Sequence, residues 1–175
     1  MNYNTRKYDK ARAILIGVIA GVIISGAMFL AVSGTMAENS TITVWAMCQP
    51  GDYVNARMAP STRSESVARL ETGDAFEIDG RSKNGFMYAP SFPCENGEAW
   101  VYAGYIVTEQ PQNSCGKLYR IKSNGRVACR KHIEGPRRCW VVDGSEVKVY
   151  SYTSAWAVTN KGFVQSRYIE GLIEE

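Results

Sequence analysis

The chain has 175 residues, 45% of them hydrophobic and 21% charged, with 20 basic and 17 acidic side chains, one histidine and five cysteines. That length leaves room for one or two small domains, and a net charge of +3 excludes a strongly basic nucleic-acid-binding domain. A single histidine and the absence of any C-x-x-C pair exclude an ordinary zinc site, and nothing in the sequence calls for another cofactor.

Residues 1–12 carry Arg6, Lys7, Lys10 and Arg12 against Asp9 and read as a basic N-terminus on the cytoplasmic side. Residues 13–34 follow as 22 positions without a charge, enough for a helix to cross a hydrocarbon core of ~30 Å at ~1.5 Å per residue. Cationic residues before this run and Glu38 after it predict a single pass with the N-terminus inside and the remainder exported. The alternative is a signal peptide cleaved after Ala37, since Thr35-Met36-Ala37 fits the small-x-small pattern; the chain is then secreted. Gly17, Gly21 and Ser25 recur every four residues, a spacing that suits a homodimer through the membrane helix.

Beyond residue 40 no stretch sustains a 3.6-residue apolar period. Short runs rich in aromatic and branched residues alternate with turn chemistry: Thr41–Ala46, Ala75–Ile78, Phe86–Ala89 and Ala99–Tyr102, then Leu118–Ile121, Trp140–Val142, Glu146–Tyr150, Ala155–Thr159 and Phe163-Val164. The class is all-β, expected as two small barrels in tandem at 41–109 and 117–172, preceded by the one N-terminal hydrophobic helix. Gln110 to Gly116, containing Pro111, reads as the linker. Large apolar area for two small cores is expected from Trp100, Trp156 and Phe163. The acidic group Glu71, Asp74, Glu77 and Asp79 reads as a solvated strand face.

The two segments repeat one another. Val54-Asn55-Ala56-Arg57, Gly73, Phe86, Trp100-Val101 and Tyr105-Ile106 in the first answer to Val127-Ala128-Cys129-Arg130, Gly144, Trp156, Phe163-Val164 and Tyr168-Ile169 in the second. Recurrence of Arg57 and Arg130 at one place predicts that both anchor a loop. Charge separates the copies: residues 38–110 hold 5 basic and 10 acidic groups, residues 111–175 hold 11 and 6. The basic run from Lys117 to Arg138 reads either as attraction to an anionic polymer or lipid surface, or as a solvated face complementary to the acidic first copy.

All five cysteines lie in the exported part, where small domains commonly use disulfides. Cys129 and Cys139 flank a predicted loop, and closing it contributes roughly 2–3 kcal/mol. Cys48 and Cys115 stand near the two ends of the first copy and form the second candidate pair, with Cys48–Cys94 as the alternative. Cys129 and His132 are three apart, but no further domain accompanies them to build a thiol enzyme, and no enzymatic activity is expected.

Asn55-Ala56-Arg57-Met58-Ala59-Pro60-Ser61-Thr62 resembles the opening signature of bacterial Src-homology-3 (SH3b) domains, N-V-R-x-G-P-S-T, with Ala59 in place of Gly. Asn84-Gly85-Phe86, Trp100-Val101 and Tyr105-Ile106 follow in the family's order, so the resemblance covers about 65 residues of the first copy; the second copy is divergent. It implies tandem SH3-like barrels that bind cell-wall peptidoglycan or an anionic envelope polymer, or else a peptide of an envelope or secretion partner. The implied groove lies between the first long loop and the last strands. It points to Tyr53, Tyr88, Tyr102 and Tyr105 in the first copy and Tyr150, Tyr152 and Trp156 in the second. The insertion 89–97, present in the first copy only, is a candidate for specificity.

Overall fold

Turn residues every few positions keep the strands short, and the backbone bears this out. A computed structural model describes residues 40–94 and 97–172. The predicted helix at 13–34, the cleavage site after Ala37 and a dimer through that helix lie outside the described residues. Within them the protein is all-β, with two single 3₁₀ turns at Ala103–Tyr105 and Ser166–Tyr168.

The first half contains β1 (Ile42–Ala46), β2 (Val54–Arg57), β3 (Ser66–Leu70), β4 (Ala75–Ile78), β5 (Ser82–Lys83), β6 (Phe86–Ala89), β7 (Ala99–Tyr102) and β8 (Ile106–Val107). β1 pairs with β4 and β8 in a three-stranded sheet, while the other five form a sheet in the order β3-β2-β7-β6-β5. The second half contains β9 (Gln112–Arg120), β10 (Arg126–Arg130), β11 (Arg137–Val142), β12 (Glu146–Tyr152), β13 (Trp156–Thr159) and β14 (Gly162–Gln165). These make one sheet in the order β11-β10-β14-β13-β12-β9, every neighbouring pair antiparallel. Neither half closes its ladder into a barrel: the first divides into two sheets, and β11 and β9 remain at opposite edges of the second.

Residues 112–116, expected in the linker, belong to β9 and pair with the end of β12, Gln112 opposite Tyr152 and Asn113 opposite Ser151. The register shifts between Val149 and Ser151, where Cys115 and Gly116 take positive φ of 51° and 74°. A bulge thus absorbs what looked like a connector, because Gly116 accepts the left-handed backbone there.

Alternation decides the cores. Val44 and Ala46 on β1, Phe76 and Ile78 on β4, and Val54 and Ala56 on β2 turn inward to build the first, while Ala75 and Glu77 stay exposed. Phe92, from the insertion, is buried and packs edge-on against Phe76 at 5.9 Å, so this loop is pinned into the core. Ile121, Val127, Cys129, Val141, Val147, Val149 and Val164 build the second. The large aromatics expected to fill these cores sit elsewhere. Trp100 is half-buried against Tyr88 at 5.0 Å. Phe163 is fully buried in a third cluster with Met47, Val107 and Val158, against which Trp45, Tyr105, Ile133, Tyr150 and Trp156 pack. That cluster joins the two halves. Successive residues of β14 face opposite ways, so Phe163 fills the junction while Val164 fills the second core.

Candidate functional site

The duplicated arginines do the same work in both halves. Arg57 Nη1 donates to the Ser64 carbonyl at 2.6 Å, and Arg130 Nη1 donates to the Gly135 carbonyl at 2.7 Å. Each guanidinium closes the loop that follows its strand, as expected from their recurrence. The 3₁₀ turns likewise place Tyr105 and Tyr168 at corresponding points of the two halves.

In the first half this geometry makes a groove of about 340 Å³ whose walls include Tyr53, Asn55, Arg57, Phe86, Tyr102 and Tyr105. Tyr102 stands edge-on to Phe86 at 5.3 Å and lies 6.1 Å from Tyr105, whose hydroxyl is pushed above its ordinary pKa by burial. Tyr53 is exposed at the rim, with the Arg69 guanidinium 4.2 Å from its ring centre. Three of the four predicted tyrosines therefore meet. Tyr88 does not: its hydroxyl donates to the Glu98 carboxylate and the Arg81 guanidinium stacks 3.9 Å over its ring. The hydrogen bond to Glu98, then burial, raises the Tyr88 pKa.

One wall of this groove comes from the other half. His132 packs at 5.2 Å from Tyr102 and 5.6 Å from Tyr105, and the Ile133 N–H donates to the Gly104 carbonyl at 2.9 Å. The approach depends on Gly104, since a Cβ there would lie 2.4 Å from His132 Nδ1. The loop after β10 therefore caps the groove of the first half.

The corresponding groove in the second half, about 460 Å³, has no such cap among the described residues; its walls include Ser123, Arg126, Arg130, Trp140, Gln165 and Tyr168. The predicted Tyr150, Tyr152 and Trp156 are not among its walls. Tyr150 and Trp156 pack at the junction, and the Tyr152 hydroxyl donates to Gln112 Oε1 at 2.8 Å. Trp140 and Tyr168 are the aromatic groups missed by the sequence reading. Tyr168 was recoverable from its repeat partner Tyr105, and Trp140 from its place amid the basic run.

That run divides between two surfaces. Lys131 and Arg138 face Asp52, Gln49 and Tyr53 across a cavity of about 540 Å³ at the junction, consistent with a complementary face. Arg126 and Arg137 turn to Trp140, their guanidinium carbons 4.7 and 4.5 Å from the indole centre.

All five cysteines are free thiols in this structure, so neither expected disulfide is formed. Cys129 and Cys139 are nonetheless direct cross-strand partners, a spacing compatible with a bond between them. Burial first, then the hydrogen bond to Cys139, pushes the Cys129 thiol up to about 12, so it is no thiolate nucleophile at neutral pH. Cys48 and Cys115 line one cavity of about 270 Å³ with Thr72 and Tyr150. Cys48 donates its Sγ–H to the Asp52 carbonyl at 3.3 Å, and burial raises its pKa. Among the described residues no group of three or more His, Cys, Asp or Glu is placed to hold a metal.

No protein-family model matches the chain, and no curated protein matches it in sequence. Two solved structures from Trichomonas vaginalis are similar at low level. NlpC1 is 13% identical over 77% of this chain and 48% of its own, with a TM-score of 0.30. NlpC2 is 12% identical over 78% and 52%, with a TM-score of 0.29. The chain thus spans about half the length of each, and likenesses of this size carry no functional argument.

Proposed function

We propose that this is a non-enzymatic, exported protein, tethered through residues 13–34 or released by cleavage after Ala37, that binds cell-wall peptidoglycan or an associated polymer. The two halves are read as divergent bacterial Src-homology-3-like modules whose open sheets keep the family's landmarks in order. The observation that carries the reading is the meeting of Tyr53, Phe86, Tyr102 and Tyr105 along one groove. Rings of this kind cover large area at low entropic cost and suit sugars and peptides alike. A non-catalytic role is supported by the protonated Cys129 thiol and by the engagement of His132 with Tyr102 and Tyr105.

The test is co-sedimentation of the full chain, held in a non-ionic detergent, with purified sacculi. The expected result is pelleting, weakened about fivefold by Tyr53→Ala, the effect of losing roughly 1 kcal/mol at one aromatic contact. Retention in the supernatant overturns the reading. A second reading, docking of a peptide from an envelope or secretion partner, is favoured by one feature. The groove of the first half already accepts a stretch of polypeptide, His132-Ile133, through a ring contact and a backbone hydrogen bond. Failure to pellet together with cross-linking to a single envelope protein selects it.

A further inference from the structure

The uncapped groove of the second half has a chemistry of its own. Residue alternation on β10 sends Val127 and Cys129 inward and leaves Arg126, Ala128 and Arg130 on the other face. Trp140 on β11 lies directly opposite Ala128, whose small side chain leaves the indole room between the flanking arginines. Trp140 is 43% exposed, a large apolar surface left to solvent.

Arg126 and Arg137 both lie against this one ring. Among the described residues, no carboxylate approaches either guanidinium within 4.0 Å; the salt bridges there are Arg81–Asp79 and Lys122–Glu170. In the first half Arg81, stacked on Tyr88, is neutralised by Asp79 at 2.6 Å, whereas Arg69 over Tyr53 has no carboxylate partner among the described residues. Register brings Arg126 and Arg137 to Trp140 from opposite directions along the strands, with the indole between them; Arg126, a wall of the groove, is the one placed to give an incoming oxyanion charge-assisted hydrogen bonds. Arg130 completes the positive wall, steadied by its bond to Gly135. Arg167 stands over Tyr168 at 4.9 Å.

The groove also offers partners to hydroxyl groups, since the Gln165 side chain at its wall carries both a donor and an acceptor. The Asp143 carboxylate nearby accepts from the Ser123 N–H at 2.7 Å.

We propose that this groove binds an anionic sugar unit. Its phosphate or carboxylate group meets Arg126 at the groove wall, its ring packs at Trp140 and Tyr168, and a hydroxyl bonds the Gln165 side chain. The inference deepens the envelope-polymer reading and rests on it for where such a unit is met.

The full chain in non-ionic detergent is titrated with glucose 6-phosphate, glucuronate, glucose and inorganic phosphate, followed by tryptophan fluorescence and, in parallel, calorimetry. An anionic sugar is expected to bind at least about tenfold tighter than either glucose or inorganic phosphate, and the tighter of the two anionic sugars identifies the oxyanion. Affinity should fall with added salt. The double variant Arg126→Gln/Arg137→Gln is expected to lose about tenfold or more, and Gln165→Ala about threefold toward the sugars but nothing toward inorganic phosphate. Trp140→Phe, which keeps a ring, should retain binding but lose the fluorescence response. Equal affinities for all four probes, or unchanged binding by the double variant, overturn the proposal. Sacculus pelleting separates the two readings. A double variant that still pellets in full while losing no sugar affinity sinks this site alone, whereas sugar binding without pelleting by the parent chain sinks the wall reading alone.

Discussion

The two halves share a plan and differ in what they leave open. Each has an arginine that closes a loop, a 3₁₀ turn that presents a tyrosine, and a groove between them. In the first half that groove is aromatic and capped by His132 of its neighbour; in the second it is basic and, among the described residues, uncapped. The two halves therefore share these features while their surfaces differ. One copy's loop has become part of the other copy's wall, so the pair does not act as two equal grips.

The largest effect is expected where the halves meet. Phe163→Ala empties the centre of the junction cluster, and truncation of a fully buried phenylalanine costs about 3–5 kcal/mol. Thermal unfolding followed by circular dichroism should show a marked drop in Tm, and an unchanged Tm would mean that the halves hold together by other means. Gly104→Ala comes next, because its methyl would fall 2.4 Å from His132 Nδ1 and 2.8 Å from Tyr102 Cε1. The expected cost is about 1–3 kcal/mol, with the cap displaced and the Ile133 amide exchanging faster with solvent. Preserved protection of that amide would show that the cap does not depend on the glycine. The smallest effect concerns the outer aromatic of the first half. Burial alone would raise the Asp79 carboxyl, but the hydrogen bonds and charge of Arg81 outweigh it and hold the group below its ordinary 3.8. The resulting stabilisation is present above pH 3.8 and is lost as pH falls through the lower folded value. Asp79→Asn should flatten that acid limb slightly, since the partner Arg81 is well exposed. An identical acid profile in both proteins would remove Asp79–Arg81 as its source.

Much of this architecture is legible in the residues. Ala75–Ile78, Phe86–Ala89 and Ala99–Tyr102 form strands with the bounds that alternation and flanking turns suggest. The repeat of Arg57 at Arg130 foretold their common role. What local pattern does not carry is long-range pairing. Nothing in Gln112–Gly116 announces that it joins β12, because the bulge at Cys115–Gly116 hides its alternation. Nor does the size of Phe163, Trp156 or Trp100 say which surface each fills, since a central strand buries both faces. Tyr88 failed as a groove residue for a related reason: its distance in sequence from Glu98 and Arg81 conceals that both engage it. Trp140 went unnoticed because its importance comes from two arginines gathered by register, one on the adjacent strand and one three residues upstream.

Strand β14 has a further consequence. With Phe163 on one side and Val164 on the other, it is a shared beam, hydrogen-bonded to β13 and β10 within its own sheet. A nick near Pro111 would consequently leave two fragments that stay associated and melt as one body, and the pieces, expressed apart, would each present a raw apolar seam to water.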